Sequence, residues 1–262
     1  MTDLLDLPSR TSKPRSTGLT HVLDRGLSVA DVDSLAEVAG DHVDIVKLGW
    51  GTALVTGNLE AKVARYRAHG IPVVLGGTLT ELAVHQDRLD ALLQWNSRLG
   101  LEHVEVSDGT ITLAHEDKLE LIERLARDFT VLSEVGSKDD TRIMAPYRWV
   151  ELITAELEAG AWKVIAEARE SGTSGIYRHD GEVRMGLIDE IVHAVDAASL
   201  IFEAPRKDQQ VWFIRRFGAN VNLGNLAPDD VVSLETMRLG LRSDTALGAV
   251  GAGLQEEGVR GE

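Results

Sequence analysis

TVLSEVGSKDD, residues 130–140, is a short apolar run that carries a glutamate inside it and a lysine just past its end. Read as a β-strand, it alternates Val131, Ser133 and Val135 with Leu132 and Glu134, which sets Glu134 on the face opposite Val131 and Val135. An acid therefore stands where a core residue is expected. The run stops at Gly136 and Ser137, and Lys138 follows in the loop, within reach of whatever lies at the strand's C-terminal end.

The pattern recurs along the chain. Residues 18–24 (GLTHVLD) read as a strand followed by an acidic helical stretch over 28–39. Residues 43–48 (VDIVKL) lead through GWG into a helix over 59–69, and 72–75 lead through GGT into a helix over 80–99. Five more strands are expected at 103–107, 130–135, 163–169, 200–203 and 220–223, each followed by a helix-like segment such as 145–158 or 229–241. Glycines stand at helix ends, for example Gly70 and Gly100. Eight βα units with a period of about 30 residues predict an α/β fold, a single (β/α)8 barrel. A doubly wound open sheet would carry a Gly-rich phosphate turn after its first strand, and no GxGxxG follows Leu23. No Pro- or Ser-rich linker divides the chain, so 17–245 read as one catalytic barrel domain, 1–16 as a lead-in and the Gly-rich 246–262 as a flexible tail.

With 262 residues, 44% of them hydrophobic and 26% charged, the chain can bury a large core. Its formal net charge of -15 argues against nucleic acid or an anionic membrane as partner, because both are repelled over the whole surface. Any cationic function must be local. The absence of cysteine excludes a disulfide framework, thiolate zinc sites and a cysteine nucleophile. No apolar run approaches the roughly 20 residues of a membrane span, and MTDLLDLPSRTSKPRS lacks a signal-peptide core, so a cytoplasmic location is expected.

In a barrel, the residues that alternate with the outer apolar set point to the axis. These are Lys47 beside Val46, Glu105 between Val104 and Val106, Glu134, then Glu167 with Arg169, Glu203, and Asn220 and Asn222 flanking Val221. One buried Glu with Lys or Arg is as readily an internal ion pair as a functional group. Four glutamates near one axis are another matter, since an uncompensated buried carboxylate costs on the order of several kcal/mol and the set requires cations, a metal or shared protons. Lys47, Glu105, Ser107, Lys138, Arg169, Glu170, Glu203, Lys207 and Asn225 all fall at or just past strand C-terminal ends, where barrel enzymes place their active sites. Carboxylates without cysteine or clustered histidine favour a hard, oxygen-ligated cation, Mg2+ first, and the lysines and arginines suit a small anion. Asn222, Gly224 and Asn225 are expected in the loop after the last strand, where barrels often hold phosphate.

Eight ordered blocks then carry a resemblance. KPRSTGLTHVLDRGL (13–27), VKLGWGT (46–52), GGTLTE (76–81), VEVSDGT (104–110), EVGSKD (134–139), EARESGTSGI (167–176), EAPRKDQQ (203–210), and NVNLGN (220–225) with GLRSDT (240–245) resemble the phosphosulfolactate synthase family over residues 13–245. The resemblance implies a (β/α)8 barrel that, with Mg2+, adds sulfite to C3 of phosphoenolpyruvate to give (2R)-2-phospho-3-sulfolactate, an early step toward coenzyme M or sulfolactate. In that chemistry charge moves onto C2 and the carboxylate, a divalent cation can hold it, and C2 must be protonated. Glu105, Glu134 and Glu167, on consecutive strands, are the candidates to position Mg2+. Lys138, or else Lys47, is the candidate proton donor, with Glu134 part of the catalytic set. Arg15, Arg25, Arg169 and Lys207 would hold phosphate and sulfite, with Ser107, Asn222, Gly224 and Asn225 completing the substrate site. Alternatives are a related barrel enzyme adding another nucleophile or moving a proton as enolase-like enzymes do, and a non-catalytic small-anion-binding protein. A homo-oligomer is expected, with Trp149, Trp162 and Trp212 either at an interface or packed against the barrel.

Overall fold

A computed structural model describes residues 4–111, 113–136, 144–168 and 171–246. The expected α/β barrel is present. Its eight strands are β1 (Thr20–Asp24), β2 (Ile45–Leu48), β3 (Val73–Leu75), β4 (His103–Val106), β5 (Thr130–Val135), β6 (Lys163–Ala166), β7 (Leu200–Glu203) and β8 (Leu223–Leu226). All pairings are parallel, in the order β3-β2-β1-β8-β7-β6-β5-β4, and β3 and β4 lie against each other where the ring closes. Helices α1 (Val29–Ala39), α2 (Leu59–Ala68), α3 (Gly77–His85), α4 (Leu89–Leu99), α5 (His115–Leu125), α6 (Pro146–Glu158), α7 (Met185–Ala194), α8 (Lys207–Phe217) and α9 (Val231–Arg238) surround it. No helix among the described residues is long and apolar enough to cross a membrane.

Local chemistry explains the boundaries. Helix α1 starts at a capping box, in which the Ser28 hydroxyl accepts from Asp31 N and the Asp31 carboxylate accepts from Ser28 N. The single helix expected over 80–99 is two helices, because the chain turns at Asp87, whose φ of 53° no helix tolerates. The eighth strand starts later than its alternation suggested. Asn222 precedes it, and its side chain replaces a ladder group, accepting from Leu19 N at 3.0 Å and donating to Leu200 O at 2.8 Å.

Period-two alternation sorts the strands into two faces. Val22, Val46, Val104, Val131, Val135 and Val164 face outward into the helix layer. Leu19, Ile45, Val74, Leu132, Ile165 and Ile201 form an apolar plug inside the barrel toward its N-terminal end. On β2, β5, β6 and β7 the plug residue is followed two positions later by a charge, giving Ile45–Lys47, Leu132–Glu134, Ile165–Glu167 and Ile201–Glu203. The interior thus changes from hydrocarbon to charge within one side-chain layer. The lead-in lies across the N-terminal end, where Arg10 pairs with Glu235 at 2.9 Å and Arg15 with Asp44 at 3.2 Å. Trp149 is buried in the core between helix and sheet, and Trp162 packs edge-on against His103.

Candidate active site

A cavity of about 640 Å³ opens at the C-terminal end of the barrel, lined by Lys47, Glu105, Glu134, Glu167 and Glu203. The Lys47 ammonium sits between two of these acids, 2.8 Å from Glu105 Oε1 and 3.3 Å from Glu134 Oε2. Glu105 Oε1 also accepts from Gly77 N at 2.7 Å, and Glu203 Oε2 accepts from Ala168 N at 2.7 Å. All five side chains are largely buried.

Turn residues let the walls approach. Gly76 and Gly77 bring the start of α3 against β4, and a Cβ on Gly77 would fall 2.8 Å from that of Ser107. A Cβ on Gly136 would fall 2.8 Å from Glu167 Oε2, so the glycine after β5 makes room for the acid of β6. Glu81, on α3 and nearly inaccessible, holds the loop after β4 by accepting from the Ser107 hydroxyl (2.5 Å), Thr110 N (2.6 Å) and Ile111 N (2.7 Å). Trp50 lines the rim with half of its surface exposed and a φ of 54°, a conformation bulky residues rarely adopt.

Burial and charge set the protonation states. Burial disfavours a charge on Lys47, but Glu105, Glu134 and Glu203 together outweigh it and hold the ammonium above the usual lysine range. Burial, reinforced by Glu134, pushes Glu203 up to about 8, which favours its protonated form at pH 7. Glu105 is also raised by burial, against the pull of Lys47. His21, wholly buried on β1 beside Gly224, is held neutral with a value of about 3 by burial and the Lys47 charge.

The structure brings together Lys47, Glu105, Ser107, Glu134, Glu167 and Asn225 at the mouth. Lys138 and Arg169 lie outside the described residues. Two expected substrate ligands are misplaced. Arg15 is at the opposite end of the barrel, held by Asp44 and by Asp41 O at 2.6 Å. Asn222 is there too, because the eighth strand begins one residue after it. Gly224 lies within β8, against His21 and Ile201. Lys207 opens α8 beside the mouth but outside the cavity wall, and its ammonium pairs with Asp244 at 2.6 Å. Arg25 is exposed in the loop after β1. Ser107 is at the mouth, yet its hydroxyl donates to Glu81 and so presents only lone pairs to the cavity, which suits a cation or a donor better than a phosphate oxygen.

Among the described residues no three His, Asp or Glu side chains stand as a ready metal set, and an ammonium bridges Glu105 and Glu134. In donor chemistry the cavity nevertheless suits a hard divalent cation. Glu105 Oε2 is buried without a hydrogen-bond partner, and carboxylates outnumber cations among the described lining residues. Sequence reasoning missed Glu81, although GGTLTE was in view. Its signal was an acid on the inner face of a helix, beside the buried Leu79 and Thr80.

The family model of (2R)-phospho-3-sulfolactate synthase (ComA) matches residues 8–244. Phosphosulfolactate synthase of Bacillus subtilis (strain 168) is 43% identical over 244 residues, covering 92% of this chain and 97% of that protein. Its counterpart in Methanocaldococcus jannaschii is 44% identical over 235 residues, covering 87% and 93%. Among solved structures, the YdjI aldolase from Escherichia coli K12 superposes with a TM-score of 0.54 at 13% identity, over 82% of this chain and 76% of that one. The 3-hexulose-6-phosphate synthase from Salmonella typhimurium gives 0.52 at 14%, over 87% and 93%, a likeness of fold alone.

Proposed function

This chain belongs to the (2R)-phospho-3-sulfolactate synthase family and is an enzyme, and from that premise we propose that it adds sulfite to C3 of phosphoenolpyruvate, with Mg2+, to give (2R)-2-phospho-3-sulfolactate. The observation that carries the reading is the surplus of buried carboxylates around Lys47. Glu105, Glu134 and Glu167 against Lys47 leave the described wall at a formal 3 minus 1, or two negative charges, before Glu203, which burial pushes toward its protonated form, is counted. Two anions cannot meet there unless cations join them or protons remain bound.

The sulfur lone pair of sulfite attacks C3 and forms the carbon–sulfur bond. The π pair of the C2–C3 double bond moves toward C2 and its carboxylate, and a proton then completes C2. Lys47 is fixed by two acids where it stabilises that developing charge. The same acids make it a poor proton donor, because they raise its pKa away from neutrality. The proton is therefore assigned to Lys138, which follows β5 by three residues. Arg25 and Arg169, just past β1 and β6, are assigned to the phosphate and sulfite groups. Glu203, pushed by burial toward its protonated form, adds less to the negative charge that the substrates meet. Glu105, Glu134 and Glu167 would hold Mg2+, which when bound supplies fixed positive charge for the substrate carboxylate.

Phosphorus NMR tests the reading. The protein is incubated with phosphoenolpyruvate, Mg2+ and, in parallel, sulfite, water, a thiol or phosphite. A new phosphate-ester resonance is expected with sulfite alone and is lost on chelation of the metal. Turnover with another nucleophile, or none with sulfite, overturns it.

A further inference from the structure

Behind β5, on the side away from the cavity, lies a buried ion pair that the chemistry above does not use. Lys118 of α5 and Glu156 of α6 are each 1% exposed and meet at 2.8 Å. Each takes the third place in an apolar stripe: Lys118 shares the buried face of α5 with Ile122 and Leu125, and Glu156 that of α6 with Trp149 and Ile153. A buried pair of this kind is commonly replaced by hydrophobic residues without loss of stability, so stability alone is a weak reason for it.

The pair also has a specific address. Lys118 Nζ donates to the backbone carbonyl of Glu134 at 2.7 Å, and its third neighbour is Asp108 Oδ1, at 3.3 Å, in the loop after β4. The β4–β5 ladder ends at Val106 and Ser133, so the Glu134 carbonyl lies one residue past it. On the same stretch the Ser133 hydroxyl donates to Glu156. Two consecutive residues of β5, the second of which sends its carboxylate to Lys47, are thus held from behind by one pair.

We propose that Lys118 and Glu156 form a positioning device: by holding Ser133 and the Glu134 carbonyl they fix the mouth end of β5 against the loop after β4, and so fix the Glu134 carboxylate. Neither residue lines the cavity, so the device acts through β5. Its activity assay rests on the sulfite-addition reading.

Two double variants separate positioning from packing. Lys118→Met with Glu156→Leu removes the charges and the donor, whereas Lys118→Gln with Glu156→Gln removes the charges and keeps an N–H for the Glu134 carbonyl. Positioning predicts that the Met/Leu protein folds, loses about 10- to 100-fold in kcat and keeps its KM for phosphoenolpyruvate, while the Gln/Gln protein stays within about threefold of the parent. Amide exchange of the 133–136 segment rises in the first variant and not in the second. Equal kcat and equal exchange in the two variants overturn the proposal, as does a Met/Leu chain that will not fold, which assigns the pair to stability. The parent enzyme runs in the same assay. If it shows no turnover, the function assigned above fails, and the exchange comparison still decides the positioning role.

Discussion

Both ends of this barrel bury charge, but they do so differently. At the N-terminal end the charged groups are engaged by backbone. Arg238, wholly buried, donates to Ala219 O, Val221 O and Leu19 O at 2.7, 2.6 and 3.1 Å, and Arg15 is held by Asp44 and Asp41 O. At the C-terminal end, carboxylates of β4 to β7 face one another across a cavity around a single described ammonium, and Glu105 Oε2 is buried without a hydrogen-bond partner. The first arrangement satisfies carbonyls where strands begin. The second keeps like charges close, which no fold needs. A buried charge is therefore no signature of function, whereas a set of acids that outnumbers the cations among the described residues of one cavity is.

The largest expected effect breaks the mouth. Lys138→Ala should lower turnover about 10²- to 10⁴-fold, the usual worth of a positioned acid, with phosphoenolpyruvate binding largely retained. Calorimetric binding measured beside turnover checks it, and lost affinity with normal saturating turnover would move Lys138 to substrate binding. Glu134→Gln should likewise abolish turnover at an unchanged melting temperature while raising the Mg2+ concentration required. Unaltered activity and metal dependence would return Glu134 to a plain ion pair with Lys47.

The opposite end should fail in the opposite way. Arg238→Met removes three hydrogen bonds and leaves Val221 O without a donor, whereas Ala219 O keeps Arg10 Nη1 and Leu19 O keeps Leu223 N; it should cost about 3 kcal/mol, read by urea unfolding, while kcat per folded molecule stays at the parent value. A stable variant with reduced kcat would erase the distinction between the ends.

Stability against pH sharpens it further. Glu203 has its folded pKa raised from 4.5 to about 8. Between those values the folded chain holds a proton that the unfolded chain has released, so this group's contribution to stability is complete below pH 4.5 and is lost as pH rises through 8. Glu203→Gln should flatten that part of the melting profile, by on the order of a few degrees. Parallel profiles for parent and variant would mean that Glu203 is ionised at neutral pH.

The comparison also explains what was legible in the sequence. Alternation placed Lys47, Glu105, Glu134, Glu167 and Glu203 correctly, because a period of two in an all-parallel barrel leaves an inward acid only the axis to face. It failed at residues 220–222, where Asn220 and Asn222 flank Val221 just as a strand would, because an asparagine amide mimics a backbone pair and prolongs the pattern past the true ladder. It failed again at Arg15, since proximity in sequence to β1 does not say at which end of β1 a preceding residue lies. The supporting acids and bases on the helices, Glu81, Lys118 and Glu156, were hidden because a charge in an amphipathic stripe reads as a flaw in the pattern until its partner on another element is known.

Arg15 provides the smallest and most discriminating test of the two ends. Its guanidinium reaches Asp44 Oδ1 through Nε at 3.2 Å and Asp41 O through Nη2 at 2.6 Å, with the side chain 5% exposed. Lysine keeps the charge but carries one donor group where two separate acceptors must be met. Arg15→Lys should therefore give up either the Asp44 ion pair or the hydrogen bond to Asp41 O, about 1 kcal/mol, and lower the melting temperature by about 2–4 °C. Because the residue lies at the far end from Lys47, kcat and the KM values for phosphoenolpyruvate and sulfite should stay within about twofold of the parent. A tenfold rise in either KM at unchanged stability would place Arg15 on a substrate anion, restore the role that its sequence neighbourhood suggested, and end the division of labour between the two ends of the barrel.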